Sequence, residues 1–409
     1  MKEFDKNVEG LRGIAALSVV YLHYMNFDYF INLGYHPDTF LKFIAFGHQS
    51  VLIFFILSGY VIGLTNKVSD FSLAFVGTYM KKRLVRLYPI YLIAIGLSLL
   101  AVPEIHASVK ITIAKIGGNL LFLQYGRFKT LDGNFVLWTL NYEMLYYIIF
   151  IGILFFKPNL KKLIVCVFLF CNGIWLYPKV PGLLISYAVG WVFWLIGLYI
   201  AWLCPVDIHI KVKNQRVIGF LFLMIATGLF APGTLFLKAV NLESKLQLKI
   251  VNIVDLLYLP VCVLLFIEAC QRKVPYKNIV TGLAFAIPVV TCLILIAKGD
   301  FLLKEEWIAA GIILLIAMIV FWLPIKGNML AAMAFTGSIS YAIYVLHMPV
   351  GFLMQKVDFG LPAPYSFVFK FIVCVGLTIG ISILLERVMQ PLIKRLFFKP
   401  KQSASVSAG

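Results

Sequence analysis

The amino-acid sequence predicts an all-α fold, a polytopic bundle of transmembrane helices with about 10–12 spans. Of the 409 residues, 62% are hydrophobic and only 13% are charged, far more apolar surface than a soluble domain buries. Apolar stretches recur along the whole chain at about 20 residues, the length with which a helix crosses the hydrocarbon core of a bilayer. These stretches are continuously apolar and do not alternate with polar residues, which argues against a β-barrel.

Twelve apolar stretches are the candidate spans. They cover residues 11–28, 41–64, 88–103, 137–156, 162–177, 183–203, 216–233, 250–269, 279–297, 307–324, 333–354 and 366–386. Between the third and the fourth, the apolar segment Ile111–Leu123 is too short to span and predicts a re-entrant or interfacial helix. Two glycine pairs at helical spacing, Gly59 with Gly63 and Gly376 with Gly380, predict close packing of helices.

The distribution of positive charge predicts the orientation. With both termini on one side, about two thirds of the 36 Lys and Arg residues fall on that side, which places both termini in the cytoplasm. The same distribution accounts for the net charge of +18, so the basic residues indicate topology and contact with membrane lipids, and no nucleic acid is expected. We expect residues 1–395 to form one membrane domain and residues 396–409 a short polar cytoplasmic tail.

Ionisable residues fall inside the predicted spans, where a charge is costly unless it faces a partner or a water-filled cavity. Arg12 and His23 are eleven positions apart on the first helix, so they share one face to within about 20° and lie roughly 16 Å apart. Glu143 on the fourth span and His347 on the eleventh fall at a depth similar to that of His23. Glu143 could therefore orient an imidazole that acts as a general base on a hydroxyl. For each residue taken alone, a hydrogen-bonded structural role is the alternative.

Ser340, Tyr344 and His347 follow an i, i+4, i+7 spacing, which gives the eleventh span one polar face. Such a face suits a hydroxyl-bearing substrate or, equally, hydrogen bonds between helices. The seven cysteines show no spacing typical of metal ligands, so no metal site is expected.

Two arginines stand at the cytoplasmic start of the third span. Arg83 and Arg86 lie near the level of Arg12, and guanidinium groups suit phosphate oxygens. The three arginines are therefore candidates for binding the phosphates of a nucleotide-containing donor. A topological role is the alternative for Arg83 and Arg86, and it is the preferred interpretation for the adjacent lysines.

Five motifs resemble acyltransferase family 3, a family of bacterial integral-membrane enzymes, and they follow that family's order over about residues 5–390. They are Arg12-x10-His23, Phe54-Phe55-Ile56-Leu57-Ser58-Gly59-Tyr60, Arg83-x2-Arg86-Leu87-Tyr88-Pro89, Trp138-Thr139-Leu140-Asn141-Tyr142-Glu143 and Ser340-Tyr341-x2-Tyr344-x2-His347-x-Pro349. The resemblance implies a multi-pass enzyme of the bacterial cytoplasmic (inner) membrane. It would move an acetyl or similar short acyl group from cytoplasmic acyl-CoA to a sugar hydroxyl of a cell-surface or exported glycan, or of its lipid-linked precursor.

The resemblance also implies roles for individual residues. These are a catalytic role for His23, with Arg12 essential beside it, a functional Glu143, and acyl-CoA binding by Arg12, Arg83 and Arg86. The candidates for binding the acceptor are Trp138, Tyr142, Ser340, Tyr344 and His347. Acyl-CoA would be a co-substrate, with no permanently bound cofactor. The other expected partners are the glycan or lipid-linked sugar and membrane lipids, and the oligomeric state stays open. The family's common core has about ten helices, so one or two of the twelve stretches would be peripheral.

Two other functions stay open at this point. A transporter or flippase for a lipid-linked sugar or small solute would also need many spans, buried charges and kinked helices, although the sequence shows no inverted repeat. A scaffold for a glycan-assembly complex would use the same charged residues structurally. It would then tolerate conservative replacement of Arg12, His23 and Glu143.

Overall fold

The computed structural model of the chain describes residues 3–26, 40–66, 71–105, 112–174, 181–207, 209–242, 250–355 and 357–398. The α-helices are α1 (Glu3–Asn26), α2 (Gly47–Thr65), α3 (Leu73–Ile105), α4 (Ile113–Leu120), α5 (Trp138–Phe156), α6 (Leu160–Ile174), α7 (Gly182–Leu203), α8 (Asn214–Phe230), α9 (Pro232–Ala239), α10 (Leu259–Cys270), α11 (Lys277–Ala297), α12 (Glu305–Trp322), α13 (Met329–Ala332), α14 (Ala334–Ser338), α15 (Ser340–Gln355), α16 (Ala363–Ile383) and α17 (Gln390–Phe397). Turns of 3-10 helix precede α2, α5, α10 and α12, and a π-helical turn, Leu384–Met389, joins α16 to α17. These residues form no strand, and the predicted all-α bundle is confirmed.

Nine helical stretches of the described chain are long and apolar enough to cross a membrane. They are Phe40–Thr65, Leu73–Ala101, Phe135–Phe156, Gly182–Leu203, Asn214–Ala239, Ile253–Cys270, Lys277–Ala297, Glu305–Trp322 and Ala363–Phe397. The other three predicted spans coincide with helices that are shorter or more polar: 11–28 with α1, 162–177 with α6, and 333–354 with α14 and α15. From residue 399 onward, the predicted polar tail lies outside the described residues.

Helix α1 lies at the centre of the bundle, against α2, α10, α13, α14 and α15. Apolar side chains at helical spacing between Val8 and Tyr24 are buried, as expected for a helix with neighbours on several faces. The backbones of α1 and α14 touch, because a Cβ atom added to Gly337 would lie 1.7 Å from the carbonyl oxygen of Glu9. The central position of α1 brings Arg12 and His23 into the interior of the bundle.

Residues 112–137, between α3 and α5, pack against both of these helices, and the re-entrant or interfacial position of this segment stays a prediction. Leu120 reaches Tyr88, about 25 Å along α3 from the end of that helix at Ile105. Irregular backbone at this depth needs hydrogen-bond donors from the protein. The carbonyl groups of the segment accept hydrogen bonds from Tyr88 at Leu120 O (2.5 Å), from Tyr91 at Asn119 O (2.7 Å) and from Asn141 at Phe122 O (2.5 Å).

The two predicted glycine contacts differ in outcome. A Cβ atom on Gly59 would lie 1.9 Å from the carbonyl oxygen of Trp194, and one on Gly63 would lie 2.6 Å from a side chain of α7, so close packing is confirmed there. Around Gly376 and Gly380 on α16, no described atom comes within 4 Å of an added Cβ. The prediction for α16 is wrong because the spacing shows which face of the helix carries small residues, but not whether another helix packs against that face.

Candidate active site

A cavity of about 980 Å³, its open mouth included, lies among α1, α2, α3, α5 and α15. Its polar lining consists of Arg12, Ser58, Arg83, Arg86, Thr139, Glu143, Tyr147, Ser340, Tyr341 and Tyr344. Helices far apart in the sequence thus bring six of the predicted site residues into one cavity, namely Arg12, Arg83, Arg86, Glu143, Ser340 and Tyr344.

Arg83 marks one end of this cavity. Its Nη2 atom donates to Thr65 Oγ1 at 3.2 Å, near the end of α2. The guanidinium carbon lies 5.3 Å from the ring of Tyr79 and 5.5 Å from the ring of Tyr147, distances at which an aromatic face attracts a cation. The buried Nε atom of Arg83 has no hydrogen-bond partner among the described residues, which leaves a charged donor for a ligand.

Arg12 and Arg86 each face a carboxylate. Arg12 Nη1 lies 2.9 Å from Glu9 Oε1, and Arg86 Nη1 lies 2.7 Å from Glu386 Oε2. Glu386 belongs to the π-helical turn, a feature often found at functional sites. A guanidinium group carries five N–H donors, so these contacts leave donors of both arginines for an anionic ligand.

Glu143 lies with the arginines. It accepts a hydrogen bond from Tyr147, the residue whose ring is close to Arg83. A carboxylate in this position offsets part of the positive charge at this end of the cavity. The sequence predicts that Glu143 contacts an imidazole. At His23 Nδ1, however, the hydrogen-bond partner is a different residue, His347.

His23 and His347 form a buried pair. His23 Nδ1 lies 2.8 Å from His347 Nε2, the rings are within 10° of parallel, and their exposed fractions are 7% and 0%. His347 Nδ1 lies 3.2 Å from the carbonyl oxygen of Ile343. A carbonyl oxygen only accepts, so in a neutral pair Nδ1 of His347 carries the proton and its Nε2 accepts from His23 Nδ1–H. The basic lone pair of His23 is then on Nε2.

The histidine pair lies directly behind one wall of the cavity. Tyr344 lines the cavity, and its ring centroid is 6.1 Å from that of His347 and 5.7 Å from that of Phe54. Along α2, Phe54 lies roughly 16 Å from Thr65, where Arg83 binds. The arginines and the histidine pair therefore lie at opposite ends of the cavity.

The match to a family model agrees with this arrangement. Residues 5–298, well over half of the chain, match a family described as an acyltransferase domain. The matched part contains Arg12, His23, Arg83, Arg86 and Glu143. The chain belongs to acyltransferase family 3. No curated protein and no solved structure gives a significant match.

This family 3 acyltransferase is thus a multi-pass membrane protein. The motif from Ser340 to Pro349, which carries His347, lies beyond the matched residues. Its placement in the site therefore rests on the structure, which joins His347 to His23. The match is to an acyltransferase, which the transporter alternative does not explain.

Trp138 and Tyr142 lie beside the cavity of this acyltransferase and not in its lining. Their exposed fractions are 4% and 0%, and both pack against Tyr125. Tyr142 Oη lies 2.6 Å from Ser186 Oγ. Their contacts are those of a packed aromatic cluster, and acceptor binding by these two residues stays a prediction.

Sequence reasoning did not single out Ser58, Tyr147 and Tyr341. Ser58 is part of a quoted motif, and Tyr147 follows Glu143 by four residues, the spacing of neighbours on a helix. Those two signals were available in the sequence. Tyr341 is also part of one of the five motifs, but its contact depends on α3, because it donates to Leu87 O at 3.0 Å.

The hydroxyl of Ser58 is one of a few helical hydroxyls, with those of Ser18 and Ser366, that are buried without a hydrogen-bond partner among the described residues. Several others donate to the carbonyl oxygen four residues earlier, as Ser98, Thr227 and Ser382 do. Ser58 Oγ is buried, and no described residue pairs with it. Because Ser58 also lines the cavity, its hydroxyl is placed for a ligand.

Proposed function

We propose that this acyltransferase moves an acetyl or similar short acyl group from cytoplasmic acyl-CoA to a sugar hydroxyl of a cell-surface or exported glycan, or of its lipid-linked precursor. One observation carries the proposal: a single cavity has three arginines at one end and a histidine pair behind its wall at the other. The basic residues favour cytoplasmic termini in a bacterial inner membrane. The arginines would then face the compartment that contains acyl-CoA.

The arginine end suits the phosphates of the donor. Guanidinium–phosphate hydrogen bonds are charge-assisted and strong, and Arg83 Nε has no competing partner among the described side chains. The donor's thioester arm extends from there along α2, past Ser58 and towards Tyr344. Holding the donor and the acceptor next to each other supplies the positioning that acyl transfer needs.

His23 is the general base of the proposed reaction. Its Nε2 accepts the proton of the acceptor hydroxyl while the hydroxyl oxygen attacks the thioester carbonyl carbon. The tetrahedral intermediate then expels the CoA thiolate, which takes the proton from the imidazolium of His23, and the ester product leaves. His347 holds His23 in the tautomer that this step requires. Glu143 accepts a hydrogen bond from Tyr147, whose ring packs against Arg83 at the arginine end.

Acyl transfer by the reconstituted protein tests the proposal. The protein is placed in lipid vesicles with acetyl-CoA and with the polysaccharide fraction of cells that lack the gene, and ester formation is followed by mass spectrometry. Transfer should depend on acetyl-CoA and should disappear in His23→Ala, while the thermal stability of that variant shows that it folds. Normal turnover by His23→Ala would remove His23 as the base. A transporter would carry sugar without consuming acetyl-CoA.

A further inference from the structure

A second histidine site lies outside the cavity, at the start of α2. His48 Nε2 lies 2.8 Å from Asp255 Oδ1. The Asp255 side chain is 3% exposed, whereas that of His48 is 30% exposed. The other carboxylate oxygen, Oδ2, accepts from the backbone N–H of Asn252 at 2.9 Å, so Asp255 is held in one orientation before it meets the histidine.

The pair leaves one nitrogen of His48 open. A carboxylate accepts the Nε2–H group, and in the neutral ring the lone pair is then on Nδ1. None of the described residues forms a hydrogen bond with Nδ1. The ring is steadied by the edge of Tyr258, with centroids 6.4 Å apart and planes at 73°. The site therefore offers one oriented hydrogen-bond acceptor that is partly open to the surroundings.

The position of His48 relates it to the histidine pair. A Cβ atom on Gly47 would lie 2.6 Å from Leu22, the residue before His23, so His48 lies at the same end of the bundle as His23. Along α2, His48 is one helical turn beyond Val51 of the cavity lining and about 25 Å from Thr65, beside Arg83. An acceptor that approaches His23 from the end opposite the donor phosphates reaches the level of His48.

We propose that His48 and Asp255 form an acceptor site, in which His48 Nδ1 accepts a hydrogen bond from a hydroxyl group of the sugar. This inference rests on the proposed function, and it names the side chains that bind the acceptor sugar of that reaction. The charge at the site favours a neutral ligand over an anion. A phosphate or carboxylate would approach the negative charge of Asp255, whereas a hydroxyl group meets no such repulsion.

The decisive variant replaces both partners. His48→Phe alone would leave the Asp255 carboxylate buried and unpaired, which can prevent folding. His48→Phe with Asp255→Asn keeps both shapes, removes the buried charge and leaves an amide oxygen for the N–H group of Asn252. His209→Gln, an exposed histidine between α7 and α8, is the control.

Two readouts test the site. The first is the affinity of the protein, in vesicles without acyl-CoA, for the polysaccharide fraction of cells that lack the gene. The second is the initial rate of acetyl transfer as this fraction is varied. The double variant should bind the polysaccharide about five- to tenfold more weakly, as expected for one lost hydrogen bond. Its KM for polysaccharide should rise by the same factor, with acetyl-CoA binding and kcat unchanged, and the control should match the wild type.

The outcomes separate the two proposals. Unchanged polysaccharide affinity and KM in a folded double variant would overturn the acceptor site and leave the transferase intact. A fall only in thermal stability would do the same, because it would show that the pair merely joins α2 to the start of α10. If the double variant loses polysaccharide affinity while the wild type transfers no acetyl group, the acceptor site stands and the proposed function fails.

Discussion

At the residue scale, the hydrogen bonds of buried polar groups assign the roles. His347, Tyr344 and Ser340 were equally compatible with substrate binding and with contacts between helices. The structure separates them: Ser340 and Tyr344 line the cavity, whereas His347 bonds to His23 and to a backbone carbonyl. Polar groups buried without a partner cost free energy in the folded state, and of the described residues with such a group, Arg83 and Ser58 line the cavity.

Ser58→Ala should weaken acetyl-CoA binding by about fivefold, the effect of one hydrogen bond of about 1 kcal/mol. Binding of 3′,5′-ADP, which lacks the thioester arm, should not change, because Ser58 lies roughly 10 Å along α2 from Thr65 and the arginine end. Thermal stability should hold or rise, since the variant removes an unpaired buried hydroxyl.

Ser18→Ala is the matched control for this prediction. Ser18 also carries a buried hydroxyl without a partner in the described chain, but it lies outside the cavity lining. Calorimetric titration of both variants separates the two sites. Equal acetyl-CoA affinity in Ser58→Ala and the wild type would contradict the assignment of Ser58 to the donor arm.

His347→Leu should lower kcat by about 100-fold, in line with the usual worth of an oriented base, because His23 loses the acceptor that keeps its proton on Nδ1. His347→Gln should recover part of this rate, since an amide oxygen can accept from the same N–H group. The measurement is kcat at saturating acetyl-CoA. If His347→Gln and His347→Leu are equally impaired while both fold, His347 does not act through the tautomer of His23.

At the element scale, close backbone contacts decide which helices are neighbours. α2 lies against α7 at Gly59 and Gly63, and α1 lies against α14 at Gly337. Without a hydrophobic driving force between helices in lipid, such contacts and interhelical hydrogen bonds hold the bundle together. The segment at residues 112–137 follows the same logic, because three of its carbonyl groups accept hydrogen bonds from side chains of α3 and α5.

Gly59→Ala should destabilise the folded protein by about 1–3 kcal/mol, as overpacking does, because the added methyl group would meet the carbonyl oxygen of Trp194 at 1.9 Å. Gly376→Ala should leave stability unchanged or raise it slightly, since the open face of α16 accepts a methyl group and Ala favours a helix. Thermal unfolding in detergent compares the two variants. Equal unfolding temperatures would show that α2 and α7 do not meet at Gly59.

At the scale of the whole molecule, the site is assembled from helices that are distant in sequence. α1, α3, α5 and α15 each supply a charged or polar residue to the cavity, and α2 supplies one long wall. Bringing cations into a bundle is favourable only when counter-charges accompany them, and Glu9, Glu143 and Glu386 meet this need at the arginine end. The cavity extends from this end to Tyr344, whose ring packs against that of His347.

The predicted orientation can be tested on the whole chain. Protease-cleavable tags fused at the two ends should both be protected in spheroplasts and cleaved after the inner membrane is opened, because the basic loops favour cytoplasmic termini. A tag in the loop between α11 and α12 should be cleaved in spheroplasts. Cleavage of either terminal tag from outside would reverse the assignment of the arginine end to the cytoplasm and would remove the proposed route for acyl-CoA.

The sequence by itself determined the helical class and most of the spans, because a chain in lipid must satisfy its own backbone hydrogen bonds. It also determined that Arg12 and His23 lie along one helix, since that depends only on helical geometry. Only the tertiary structure decided that His23 bonds to His347, that Glu143 joins the arginines, and that Trp138 and Tyr142 pack beside the cavity. Contacts of this kind depend on how far each helix is rotated and shifted against its neighbours, and no local pattern in the sequence contains that information.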